Sequence, residues 1–144
     1  MVGQAEHLRL LAEDAEDLEV IAAALQDAVG RIGDIQYEAA ARRVTLVLNR
    51  FRWEADGRAG ERVRAGLQFG GVLSAKARKL RRDAPEAVVE LLTIDFQPGE
   101  APGGVIQLSF AGGGDLRLEV ECIDAALADI SEPWPAKRKP SHEG

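Results

Sequence analysis

One cysteine, Cys122, stands in 144 residues, and that scarcity excludes an internal disulfide and any thiolate cluster for zinc or an iron–sulfur centre. The fold has to rest on packing. Aromatics are also sparse, at 5%, which leaves little for stacking against nucleic-acid bases. No apolar run approaches the roughly 20 residues that a membrane-spanning helix needs. The start of the chain, with Glu6, Glu13 and Asp14 close behind Met1, lacks the basic-then-apolar order of a secretory signal. A cytoplasmic protein with no membrane role is expected. Walker, dinucleotide-binding and nucleophile-elbow patterns are missing too, so no cofactor is expected. What is present is a globular composition, 46% hydrophobic and 29% charged with a net charge of −6. Its size suits one domain, assigned to residues 1–136, with a polar tail over 137–144 expected to fray.

Residues 8–12 read as a short strand. Asp14 then has the character of a helix N-cap, with Glu16 and Asp17 in the first turn and Leu18, Ile21, Ala22 and Leu25 forming one apolar stripe. Gly30 and Gly33 interrupt a short or bent strand that leads into the Ala39-Ala40-Ala41 turn. Val44, Leu46 and Leu48 alternate with Arg43, Thr45 and Val47, after which the large side chains shift parity to Phe51 and Trp53. A β-bulge near Asn49 and Arg50 is the expected cause. Val63, Ala65, Leu67 and Phe69 alternate as a half-buried strand. Residues 88–96 are apolar at nearly every position, as in a central strand covered on both faces.

The clearest local feature is a hairpin between Val105 and Cys122, turned by Gly112, Gly113 and Gly114. Pairing Phe110 with Leu116 puts Ile106, Leu108, Leu118 and Val120 on one face. A slip of two residues, with a loop over residues 111–113, does the same, and both registers stay open. Ile123, Ala126, Leu127 and Ile130 then form a second helical stripe, stopped by Pro133. The order is helix, antiparallel strands, helix, which points to an α+β fold and away from doubly wound sheets. A strongly curved sheet, or a pleckstrin-homology-like barrel with an N-terminal and a C-terminal helix, is the architecture expected. An open sheet with both helices on one face is the alternative.

Candidate chemistry is thin. The glycine run is followed by a strand, not by the helix N-terminus that a phosphate loop requires, so it reads as a turn. Glu119 and Glu121 share a strand face about 7 Å apart, beside Arg117 and with Gln107 across the hairpin. Such a face also arises from solubility alone. With His142 these residues form weak pocket candidates. No metal site is expected, since His7 and His142 lie near the two ends. Residues 62–82 hold Arg62, Arg64, Lys76, Arg78, Lys79, Arg81 and Arg82 with no acidic residue among them, a marked asymmetry in an acidic chain. They are candidates for binding an anion or nucleic acid. Trp53 and Trp134 are interface candidates.

Several segments together resemble a known family. They are Leu8-Arg9-Leu10-Leu11-Ala12 with Asp14-Ala15-Glu16-Asp17-Leu18; Leu25-Gln26-Asp27-Ala28-Val29; Asn49-Arg50-Phe51-Arg52-Trp53; and Phe110-Ala111-Gly112-Gly113-Gly114 through Val120-Glu121-Cys122-Ile123. With Trp134 and the Pro140-Ser141-His142 tail, they are similar to the bacterial family called domain of unknown function 2948. The resemblance implies a small cytoplasmic bacterial protein and assigns no catalytic residue. The expected function is a non-catalytic binding or protein-interaction module, with a homodimer or another protein as partner. A binder of anions or nucleic acid through residues 62–82 is the alternative, and an enzyme using Glu119 and Glu121 the third reading.

Overall fold

The computed structural model describes residues 7–52 and 60–135. Trp53, His142 and the 137–144 tail, for which an interface role, a pocket role and fraying are expected, lie outside the described residues. The elements are β1 (Arg9–Ala12), α1 (Ala15–Ala24), β2 (Val29–Glu38), a 3-10 turn (Ala39–Ala41), β3 (Arg43–Phe51), β4 (Glu61–Phe69), β5 (Val72–Arg78), β6 (Val88–Pro98), β7 (Gly104–Phe110), β8 (Asp115–Val120), β9 (Ala125–Asp129) and β10 (Trp134–Pro135). The strands form one antiparallel sheet in the order β1-β9-β4-β3-β2-β6-β7-β8-β5, with β10 beside β4. The fold is α+β and mostly β. No helix among the described residues is long and apolar enough to cross a membrane.

Helix α1 begins where the sequence requires it. Asp14 is extended, and its carboxylate accepts a hydrogen bond from the Asp17 N–H at 2.8 Å, satisfying one of the free donors of the first turn. Leu18, Ile21 and Leu25 are buried, and the helix packs against β1 and β6. The inward side chains of all the long strands join this stripe in a single core, Leu46 and Leu67 from one wing, Leu108 and Leu118 from the other. Burying each such leucine contributes roughly 1.5–3 kcal/mol.

The expected C-terminal helix is a strand. Residues 125–129 form β9, hydrogen-bonded to β1 on one side and β4 on the other. Ala125, Leu127 and Asp129 point inward, while Ala126 and Ala128 face out. Two small alanines on the outer face filled in the polar positions of the alternation and imitated a helical stripe. The barrel does not close either. Strand β2 pairs with β6 only from Val29 to Arg31. Beyond that point the N–H groups of Ile32 and Gly33 donate instead to the Ala87 and Pro85 carbonyls. The far half of β2 and the outer edge of β5 are therefore left facing each other unpaired, and the path ends at β1 and β5.

Strand β6 is central, between β2 and β7, but it is not covered on both faces: Val88 is 68% exposed and Leu92 43%. A register shift between Leu91 and Thr93 moves the inward set from Val89 and Leu91 to Ile94. One bulge thus makes an alternating strand look continuously apolar. The hairpin adopts the shorter of the two open registers, with Leu108 opposite Leu116 and Ile106 opposite Leu118. The Phe110 N–H donates to the Gly114 carbonyl at 2.9 Å, and Gly112 and Gly113 turn the chain at φ values of 93° and 98°, where a side chain would be strained.

Candidate functional site

Strand β5 is the shared wall of two concavities. It runs antiparallel to β8 and, among the described residues, has no strand on its other side. Its sequence after Leu73 alternates small and polar residues, so Ala75 and Ala77 face inward while Ser74, Lys76 and Arg78 face out.

On the outer face, the pairing of β6, β7, β8 and β5 brings polar side chains into rows. Asp95, Gln107, Arg117 and Lys76 form one row; Val105, Glu119 and Ser74 are aligned in the next. Ser74, Lys76, Val105, Arg117 and Glu119 line a shallow depression of about 310 Å³. The Ser74 hydroxyl donates to Glu119 Oε1 at 3.2 Å. Lys76 and Arg117 stand directly opposite each other, and neither forms an ion pair with another described residue. Like charges in that position repel and destabilise the strand pair. The next row holds Ser109, Asp115 and Arg78. Asp115 is buried, with 4% of its side chain exposed, under an Arg78 side chain that is 70% exposed. Both Arg78 Nε and Nη2 donate to Asp115 Oδ2, at 3.1 and 2.7 Å, and Oδ1 has no hydrogen-bond partner among the described residues.

On the inner side, the far half of β2, which is paired with β3 but no longer with β6, and the edge of β5 enclose a cleft of about 420 Å³. Ile32, Ile35 and Tyr37 form one wall and Ala75 and Ala77 the other, with Leu116 and Leu80 adding apolar surface and Arg82 a cation. The cleft exists because alanine leaves room where β8 carries leucine. The Tyr37 hydroxyl donates to the Leu73 carbonyl at 3.3 Å and ties the two strands together at one end. An apolar concavity with one charged group at its border has the make-up of a binding site.

A third polar constellation is structural. Arg50 is fully buried at the inward position after Leu48, and no bulge precedes it: β3 pairs with β4 in unbroken register from Val44 to Phe51. The apparent change of parity in the sequence is a charged residue in a core position. Arg50 Nε and Nη2 donate to Asp129 Oδ1 and Oδ2, each at 2.9 Å, in the forked geometry that suits guanidinium and carboxylate. The Leu8 N–H donates to Asp129 Oδ2 at 2.8 Å, so one carboxylate holds β3, β9 and the start of β1 together. Its oxygens are committed to these donors, which leaves it no substrate to meet. Spacing did not reveal the pair because its members are 79 residues apart.

The basic residues between 62 and 82 divide into two groups. Lys76, Arg78, Lys79, Arg81 and Arg82 lie on β5 and the turn after it, where Arg81 sits 3.8 Å from Asp83. Arg62 and Arg64 are on β4, whose partners are β3, β9 and β10. Arg62 lies over the Phe51 ring, 4.0 Å from its centroid. Burial lowers its guanidinium pKa against the opposing pull of Glu90. Trp134, on β10 opposite Arg62, is exposed at the sheet surface. Glu121 lies past the end of β8 and pairs with Arg42, so it does not share the depression with Glu119. Gln107 is beside Arg117 in its row. No group of three metal-ligating side chains occurs among the described residues.

The model of the family described as "Protein of unknown function (DUF2948)" matches residues 8–142, nearly the whole length. The chain belongs to that family. No curated protein and no solved structure matches it.

Proposed function

We propose that the protein is a non-catalytic binding module of the bacterial cytoplasm that takes up an extended peptide as an added strand along the free edge of β5. The observation that carries this reading is the position of β5: an edge strand bordered by an apolar cleft on its inner side and by cations on its outer side. An added strand would place alternate side chains into those two environments. The fitting partner alternates apolar residues, for the cleft of Ile32, Ile35, Ala75 and Ala77, with acidic ones that meet Lys76 on the outer face, and Arg82 adds a cation at the border of the cleft. An acidic partner overcomes the net charge of −6 through this local concentration of basic residues. The reading as a nucleic-acid binder through all of residues 62–82 has weaker support, because Arg62 and Arg64 stand on a strand that does not adjoin β5.

An eight-residue peptide alternating valine and glutamate is the probe. Saturable binding is expected, with hydrogen-exchange protection of the backbone over residues 74–78 and a marked loss of affinity at high salt. Ala77→Leu, which fills the cleft, should weaken binding about tenfold, a change of about 1.4 kcal/mol. A peptide alternating valine and lysine should not bind. Absence of saturable binding, or binding that is indifferent to Ala77→Leu, overturns the reading.

A further inference from the structure

The depression on the outer face of β5, β8 and β7 carries a separate conclusion. The rows on either side satisfy their charges across the strands: Arg78 is opposite Asp115 and pairs with it, and Ser74 is opposite Glu119 and donates to it. Lys76 opposite Arg117 breaks that pattern in the row between them. Both side chains are exposed, both line the same concavity, and neither has an anionic partner among the described residues. Two like charges held at strand-pair distance cost stability unless an anion lies between them.

We propose that Lys76 and Arg117 form a binding site for an oxyanion of the phosphate class, carried on a small molecule. The lysine offers a compact ammonium and the arginine a planar fork of N–H donors, from adjacent strands of a rigid ladder. Val105 supplies an apolar wall for the group that bears the oxyanion. Glu119 also lines the depression and opposes the anion, with one of its oxygens engaged by Ser74. The two cations against this single carboxylate leave the site positive.

Inorganic phosphate is the probe, titrated into the full chain at constant ionic strength with chloride as the compensating anion. Amide chemical shifts of β5, β7 and β8 and the unfolding temperature are the readouts. Saturable shifts centred on Lys76 and Arg117 are expected, together with a rise in unfolding temperature. Lys76→Gln and Arg117→Gln should each weaken phosphate about tenfold. Glu119→Gln should tighten it severalfold. Lys76→Gln should also raise the unfolding temperature in chloride alone, because it removes the repulsion, and should shrink the further rise with phosphate. Shifts that follow ionic strength without saturating, binding that survives both substitutions, or a Glu119→Gln variant that binds less tightly would each overturn the site.

Discussion

The two edges of the sheet, β1 and β5, deal with the same problem in opposite ways. An edge strand presents unpaired backbone groups and invites another chain. Strand β1 is four residues long, has α1 packed on it, and is locked from below by a buried charge. On the side that faces β9, the Leu8 N–H donates to the Asp129 carboxylate and the Leu8 carbonyl accepts from the Asp129 N–H, which anchors the strand to the sheet, and His7 contacts Glu132. Strand β5 is seven residues long and receives no comparable closure over residues 74–78. Its polar residues are spent on its faces, not on sealing its edge. The comparison separates structural charge from available charge: Asp129 is fully committed, whereas Lys76 and Arg117 are not.

The largest expected effect falls on the sealed edge. Asp129→Ala removes the forked carboxylate contact of the buried Arg50 guanidinium and the acceptor of the Leu8 N–H, and should cost about 3–5 kcal/mol in urea unfolding. The double substitution Arg50→Met with Asp129→Leu should recover most of that loss, since replacing both charges by apolar groups removes the need for compensation. Hydrogen exchange should show β1 opening first in Asp129→Ala. A loss below about 1 kcal/mol would mean that β1 is held by its ladder alone and that the contrast between the edges is one of length.

The same pair explains where the sequence misled. The parity break at Arg50 suggests a bulge, and the stripe of Ile123, Ala126, Leu127 and Ile130 suggests a helix that leaves Asp129 off its apolar face. These two misreadings are the two ends of one salt bridge, each a charge in a core position whose partner is remote in sequence. Local signals were legible wherever the cause was local: the Asp14 cap, the stripe of Leu18, Ile21 and Leu25, and the glycine-turned hairpin. Strand β5 escaped notice because its inward residues after the bulge are only Ala75 and Ala77. Those alanines are too small to announce a buried face, and for the same reason they open the cleft. Of the site, Lys76, Arg117 and Glu119 were visible as charges; their convergence depended on a register that no spacing could supply.

A smaller effect is expected on the open edge. Among the described residues, Arg78→Ala removes the one side chain that hydrogen-bonds Asp115, whose buried carboxylate has a second oxygen with no partner among them. The cost should be about 1–3 kcal/mol, moderated because the guanidinium itself is largely in solvent. Asp115→Asn in the Arg78→Ala background should restore part of it by removing the uncompensated charge. If Arg78→Ala proves as costly as Asp129→Ala, the open edge is as tightly clamped as the sealed one and the distinction between them fails.

The smallest effect lies at the border of β1, where His7 meets Glu132 at 3.1 Å. The hydrogen bond to Glu132 raises the His7 pKa above its ordinary 6.5, and burial opposes it only in part. A histidine whose folded pKa exceeds its unfolded value stabilises the fold in full below the unfolded pKa and loses that contribution as pH rises through the folded one. Stability should therefore decline slightly as pH climbs above 6.5, and Glu132→Gln should flatten this dependence and return the His7 titration, followed by NMR, towards its ordinary midpoint. The contact is exposed and should weaken with salt. A His7 midpoint that does not move in Glu132→Gln would show that the imidazole takes no part in anchoring β1, leaving that task to the carboxylate of Asp129.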